Sequence, residues 1–135
     1  MIEDIILTET DIIQKFGIIV REFDGNLLPD ELGFYDPVTN VAFVSDKLSK
    51  IERIKVLLHE LGHKEHSISE YRNARIRCEN EADRNMIHHL VADAISQLED
   101  AREFNYLKFM EFYNLTTTTE EIMVREEYLG LIENC

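Results

Sequence analysis

The sequence is short of cysteine, proline and basic residues, and it contains no tryptophan. Two of its 135 residues are cysteine and two are proline. Cys78 and Cys135 lie far apart, so a secreted disulfide scaffold is not indicated and a cytoplasmic location is expected. No stretch approaches the roughly 20 apolar residues of a membrane span. The N-terminus also lacks the basic start and long apolar run of a signal peptide.

Positive charge is scarce: 14 lysines and arginines stand against 27 aspartates and glutamates, which gives a formal net charge of -13. Binding to nucleic acid or to an anionic membrane needs cations that face phosphates. We therefore expect no direct contact with nucleic acid and no membrane association. An acidic protein instead attracts a basic partner.

The chain has enough apolar residues, 44%, for one domain with one hydrophobic core. Apolar spacing, turn residues and capping pairs predict the order of its elements. We expect a short helix within 2–16 that starts at Thr8 or Thr10, a strand over 18–20, and hairpin strands over 32–35 and 41–44. Further helices are expected over about 49–61, from about 69 or 74 to 98, over about 101–112, and from a Thr118 and Glu121 cap to 131. The predicted fold class is α+β, mostly α, with a small antiparallel β-sheet packed on a helical bundle.

The most informative stretch is His59-Glu60-Leu61-Gly62-His63, an HExxH sequence on a predicted helix. Residues four apart lie on one face of a helix, so both imidazoles can bind a single metal ion. Zinc lowers the pKa of water toward 7, and a nearby carboxylate can take the proton as hydroxide attacks a carbonyl. The motif therefore predicts a zinc site with His59 and His63 as ligands and Glu60 as general base.

A catalytic zinc usually has three protein ligands and one open position. We expect the third ligand from the next helix, at Cys78-Glu79-Asn80-Glu81-Ala82-Asp83. Glu79 and Glu81 are two residues apart and point in different directions, so only one can be the ligand. Glu81 is favoured because it adjoins Ala82, a small residue that permits close helix approach. Glu79 is the alternative, and Asp83 is expected to support a ligand or to lie in solvent.

Several neighbours are further candidates. His66 follows His63 by three positions and is another candidate ligand, although a solvent-exposed place at the helix end is expected for it. His88 follows Glu81 by seven positions, with Asn85 between them. Both are candidates to orient a ligand or to stabilise a transition-state oxyanion. Cys78 is expected to be a plain reduced cysteine.

These motifs resemble the ImmA/IrrE family of small zinc metallopeptidases, which prophages and mobile elements often encode. The resemblance runs from about residue 17 to 90 and includes the hairpin, the HExxH helix and the Glu79–Asp83 segment. The family often shows glutamate, alanine and then asparagine or aspartate at the second site, which implies Glu81 as third ligand and Glu60 as catalytic base. We expect one metallopeptidase-like domain over 1–135, with its core over about 17–98 and a C-terminal helical extension over about 101–135.

The resemblance also implies a regulatory substrate, a helix-turn-helix repressor of a phage or mobile element that is cleaved or inactivated during induction. Such repressors are basic, which suits the acidic surface. The sequence departs from the family pattern at Asn85-Met86, where Phe-Ala is common, and at His88-His89-Leu90-Val91, where the family has a Leu-Leu-Met-Pro-like end. This departure concerns the substrate groove rather than the metal site.

Two other functions stay open from the sequence. The protein can be a zinc-containing, non-proteolytic binding module, an antirepressor that acts by protein–protein contact. The departure at Asn85-Met86 favours this alternative. A metal-free acidic helical adaptor is the third hypothesis.

Overall fold

The structure is a computed structural model that describes residues 7–64 and 66–133. Its elements in chain order are α1 (Glu9–Phe16), β1 (Ile19–Phe23), β2 (Gly33–Asp36), β3 (Val41–Ser45), α2 (Lys50–Leu61), α3 (Ile68–Asn73), α4 (Arg75–Ser96), a short 3-10 helix (Ala101–Glu103), α5 (Tyr106–Phe112) and α6 (Thr118–Glu133). The predicted class, α+β and mostly α, is confirmed. Thr8, one of the two predicted starts of the first helix, is the N-cap of α1. Cys135 lies outside the described residues.

The strands of the described chain form one sheet in the order β1-β3-β2. β2 and β3 are the predicted antiparallel hairpin, and Tyr35 lies opposite Ala42. β1 pairs parallel with β3, so the sheet is mixed and the prediction of a purely antiparallel sheet needs this correction. The physical reason is that the chain passes from β1 to the far edge before it returns, which leaves β3 in the centre.

Local capping sets most helix starts. Thr8 and Asp11 form a capping box at α1, and Ser49 and Glu52 form the predicted one at α2. Gly17 ends α1 in the left-handed conformation, at φ 63°, which costs glycine least. These side chains satisfy backbone N–H groups that have no partner within the helix.

Two predicted helix starts differ from the structure. A helix that starts at Ser69 is contradicted, because Ala74 adopts φ -138° and ψ 49° between α3 and α4, whereas the alternative start at Ala74 agrees with α4 to within one residue. Thr117, rather than Thr118, caps α6, because its hydroxyl accepts from the backbone N–H of Glu120 at 3.1 Å. Each difference is local and leaves the order of elements unchanged.

The chain divides into two compact units, one over Thr8–Met86 and one that contains the described residues from 87 onward. In the first unit, α2 packs its apolar side against β2 and β3. Its buried side chains are Ile54, Leu57, Leu58 and Leu61. Burying one such side chain contributes about 1.5–3 kcal/mol, so this face fixes the orientation of α2. The predicted core over about 17–98 and extension over about 101–135 stay predictions.

The second unit contains a cluster of packed aromatic side chains. The ring of Phe104 stacks on that of Tyr128 with centroids 5.0 Å apart, and the Tyr128 hydroxyl donates to the Ala101 carbonyl at 3.1 Å. Burial raises the pKa of Tyr113 to about 12. None of the helices in the described ranges is both long enough and apolar enough to cross a membrane.

Candidate metal centre

The end of α2 and the turn that follows it present the two histidines of the HExxH sequence side by side. One face of the helix is anchored by Leu57, Leu58 and Leu61, so His59 and His63 project from another face. Their Nε2 atoms lie 3.3 Å apart. Both imidazoles are largely buried, with exposed side-chain fractions of 20% and 16%. The pair is therefore placed as the helical spacing predicts.

α4 brings a carboxylate to this pair. Glu79 Oε2 lies 3.2 Å from His59 Nε2, and Glu79 Oε1 lies 3.1 Å from His63 Nε2. Among the described residues, His59, His63 and Glu79 form the group whose ligand atoms are close enough to hold one metal ion. The helices reach this distance because Gly62 faces Ala82, where neither residue has a large side chain.

We expect Gly62→Ala to lower the free energy of unfolding by about 1–3 kcal/mol, the usual cost of overpacking. A Cβ atom on Gly62 would lie 2.6 Å from Ala82 Cα and 3.0 Å from Asn85 Cβ, so α2 and α4 would have to separate. Chemical denaturation followed by circular dichroism measures the change. Gly130→Ala in α6 is the control, because its Cβ would meet nothing within 4 Å. Equal effects of the two substitutions would contradict the close approach of α2 and α4.

Asp83 orients His59 from behind. Its Oδ1 lies 2.7 Å from His59 Nδ1, which leaves Nε2 directed at Glu79 and His63. Burial lowers the pKa of His59, but the hydrogen bond and charge of Asp83, together with Glu60 and Glu79, raise it above its usual value. In metal-binding histidines, the ring nitrogen that does not bind the metal is usually hydrogen-bonded to a group such as a carboxylate. Asp83 thus contacts a candidate ligand, and its role as a support stays a prediction.

The Nδ1 atom of His63, which faces away from Glu79, contacts a histidine instead of a carboxylate. This atom lies 3.0 Å from Nδ1 of His66, and the Tyr71 ring packs edge-on against His63 with centroids 5.5 Å apart. Burial and the neighbouring histidines lower the pKa of His63, against the opposing charge of Glu79. Burial and a hydrogen bond to Glu79 raise the pKa of the Tyr71 hydroxyl.

Glu60 lines a cleft of about 690 Å³ between α2, β2 and the segment around Tyr71. Burial raises the pKa of its carboxyl to about 7, and the charges of Glu79 and Glu31 add to this while His59 opposes it. The same cleft is lined by His63 and Glu79. Glu60 therefore places a carboxyl of raised pKa in the same cleft as His63 and Glu79.

The structure does not bring Glu81 to the two imidazoles. Glu81 Oε2 lies 2.7 Å from His66 Nε2, and its Oε1 is 3.6 Å from Nε of Arg77. Glu79, the alternative from the sequence, has the place that Glu81 was favoured to take. His66 is also not in solvent, since 7% of its side chain is exposed.

The remaining predicted residues lie as follows. Asn85 Nδ2 donates to the Leu58 carbonyl at 2.8 Å, so Asn85 holds the backbone of α2 one residue before His59. His88 belongs to the second unit, where its Nδ1 lies 2.9 Å from Glu127 Oε2, and its role at the site stays a prediction. Cys78 is a free, fully buried cysteine.

A protein-family model described as the IrrE N-terminal-like domain, Peptidase M78, matches residues 13–125. The chain belongs to this family. The match runs from within α1 into α6 and includes the HExxH helix and Glu79, so the predicted ImmA/IrrE resemblance is confirmed. Comparisons with curated proteins and with solved structures find no match. Membership in the Peptidase M78 family supports a metallopeptidase-type role in general.

Proposed function

We propose that the protein is a zinc-dependent metalloendopeptidase that cleaves or inactivates a helix-turn-helix repressor of a phage or mobile element. One observation carries the proposal. The imidazoles of His59 and His63 meet the Glu79 carboxylate at the cleft that Glu60 also lines. Metal ligands and a general base thus share one site.

The spacing of the three groups fits zinc. Zinc–nitrogen bonds of about 2.0–2.1 Å in a tetrahedral site place neighbouring ligand atoms roughly 3.3–3.4 Å apart. The two Nε2 atoms lie 3.3 Å apart. Each also lies near a different oxygen of the Glu79 carboxylate, His59 at 3.2 Å from Oε2 and His63 at 3.1 Å from Oε1. Two histidines and one glutamate are a donor set of catalytic zinc sites, and they leave one of four positions for water or substrate.

In the proposed reaction, zinc and the residues of the chain have separate roles. When bound, zinc supplies Lewis acidity, which polarises a carbonyl group and lowers the pKa of water. Glu60 accepts a proton from the attacking water and returns it to the leaving amine. Its raised pKa of about 7 suits a carboxyl that must both take and give a proton. Asp83 keeps the His59 imidazole in position throughout.

The cleft suits an extended polypeptide. β2 lies at one edge of the described sheet, and Gly33, Phe34, Tyr35 and Asp36 of this strand all line the cleft beside Glu60. The free edge of a strand can hydrogen-bond to an added peptide strand. A substrate segment that extends along β2 would pass the carboxyl of Glu60. This arrangement supports a polypeptide rather than a small molecule as the substrate.

The charge of the chain supports a basic partner. A net charge of -13 attracts cationic surfaces and repels the phosphates of nucleic acid. A DNA-binding repressor has such a cationic surface. We therefore propose that the repressor binds DNA and that this protein binds the repressor, without contacting nucleic acid or membrane itself.

A zinc-containing antirepressor without proteolytic activity is the alternative. Asn85 favours it, because the side chain at the position of the common family phenylalanine bonds to the backbone of α2. A groove that lacks this aromatic residue can still bind a partner through contact alone. The metal site would then serve stability.

We expect purified protein to contain about one zinc ion per chain, the occupancy of a single three-ligand site. It should cut a phage helix-turn-helix repressor into defined fragments. Removal of zinc with 1,10-phenanthroline should stop the cleavage, and added zinc should restore it. Elemental analysis, electrophoresis and mass spectrometry measure these outcomes.

The results separate the hypotheses. An intact repressor in a stable complex with zinc-loaded protein would favour the antirepressor and contradict the peptidase. Protein that neither retains nor takes up zinc would contradict both and leave the metal-free adaptor.

A further inference from the structure

We propose that His66 and Glu81 form a positioning pair that holds His63 in the tautomer required for metal binding. This inference rests on the proposed metal site. It places His66 and Glu81 on the side of the candidate ligand His63 that faces away from the metal. It concerns how the chain prepares the site, and neither residue is proposed to contact the metal.

The three side chains form a continuous hydrogen-bonded series. Glu81 Oε2 lies 2.7 Å from His66 Nε2, and His66 Nδ1 lies 3.0 Å from His63 Nδ1. His63 Nε2 then faces Glu79 at 3.1 Å. The His66 side chain is 7% exposed, whereas that of Glu81 is 52% exposed, so the series runs from solvent to the metal site.

The direction of each hydrogen bond follows from what each group can donate. Glu81 presents a carboxylate oxygen to His66 Nε2 at 2.7 Å, and a carboxylate only accepts hydrogen bonds. Nε2 of His66 must therefore carry a proton. A neutral imidazole has one donor and one acceptor, so Nδ1 of His66 accepts from Nδ1–H of His63. The remaining nitrogen of His63, Nε2, keeps its lone pair for a metal.

His59 provides an independent parallel. Its Nδ1 lies 2.7 Å from Asp83 Oδ1, an acceptor that leaves Nε2 free in the same way. The tautomer of a metal-binding histidine is set by the hydrogen bond that its other nitrogen makes. Asp83 reaches His59 directly, whereas Glu81 acts on His63 through His66. Both candidate ligands thus have an acceptor on the nitrogen that faces away from the site.

Two substitutions of similar shape test the role of His66. Leucine and asparagine share a branched Cγ, but only asparagine presents an oxygen near the place of Nδ1. We expect His66→Leu to weaken zinc binding by about 10–100-fold, the usual cost of losing an outer hydrogen bond. His66→Asn should recover most of this loss. Competition with a chromophoric chelator measures both affinities against the unsubstituted protein.

A second measurement needs neither a variant nor zinc. Long-range ¹H–¹⁵N correlation spectra of the zinc-free protein should show His63 protonated at Nδ1 and His66 protonated at Nε2. Equal zinc affinities for the two variants, or a His63 protonated at Nε2, would overturn the proposal. Failure of the unsubstituted protein to bind zinc would instead contradict the proposed function, and the tautomer spectrum would still decide this inference.

Discussion

Replacing Glu60 with glutamine is expected to slow repressor hydrolysis by about 10²–10⁴-fold, the contribution of a positioned general acid–base group. Glutamine has nearly the same shape but cannot accept a proton from water. Zinc should remain bound, because the candidate ligand atoms belong to His59, His63 and Glu79. Burial already disfavours the charged form of Glu60, so a neutral amide should be tolerated by the fold. Initial rates and zinc content of the same preparation measure the two effects.

Glu111→Gln is the matched control, because Glu111 is exposed on α5 and the change in charge is the same. Its rate should equal that of the unsubstituted protein. A fully active Glu60→Gln protein would remove Glu60 from the mechanism. Loss of zinc from Glu60→Gln would show that the substitution acts on the metal site instead of on proton transfer.

Features with local causes could be predicted from the sequence. Ser49 and Glu52 mark the start of α2, and Gly17 marks the end of α1. The turn after Asp36 joins the two hairpin strands as expected, with Asn40 at φ 59°. Each of these depends on residues within one turn, so the sequence contains the whole cause.

Features with distant causes were harder to predict. Parallel pairing of β1 with β3 depends on where the chain returns after β2, and no residue pattern in β1 specifies its partner. The separate helix α3 could have been recognised from the sequence, because Ser67 and Glu70 form a capping box at its start. Alanine favours helix, so Ala74 does not itself indicate that the chain leaves the helical conformation between α3 and α4.

The choice between Glu79 and Glu81 depended on which face of α4 is buried. Cys78, Ala82 and Met86 are the buried residues in this part of the helix. At about 100° per residue, Glu79 lies about 60° from the centre of that stripe and Glu81 about 100° from it on the other side. Asp83 is four residues after Glu79 and shares its face. Adjacency to Ala82 favoured Glu81, whereas helical phase favours Glu79, which the structure brings to His59 and His63.

Glu79→Gln is expected to lower zinc affinity by more than about 100-fold, beyond the usual cost of losing an outer hydrogen bond. Glutamine removes the negative charge that faces Nε2 of both His59 and His63 at 3.2 and 3.1 Å. Glu81→Gln makes the same chemical change two residues away on the same helix. Because Glu81 reaches the site only through His66, its loss should stay at about 10-fold or less, the low end of that range.

The comparison of these two variants decides the third ligand, since both keep the length of the side chain and remove one charge. Chelator competition gives the zinc affinities, and circular dichroism shows whether α4 remains helical in each variant. A larger loss in Glu81→Gln than in Glu79→Gln would make Glu81 the ligand, as adjacency to Ala82 suggested. It would also require α4 to turn about its axis when the metal binds, because Glu81 Oε2 now lies at His66, 2.7 Å from its Nε2.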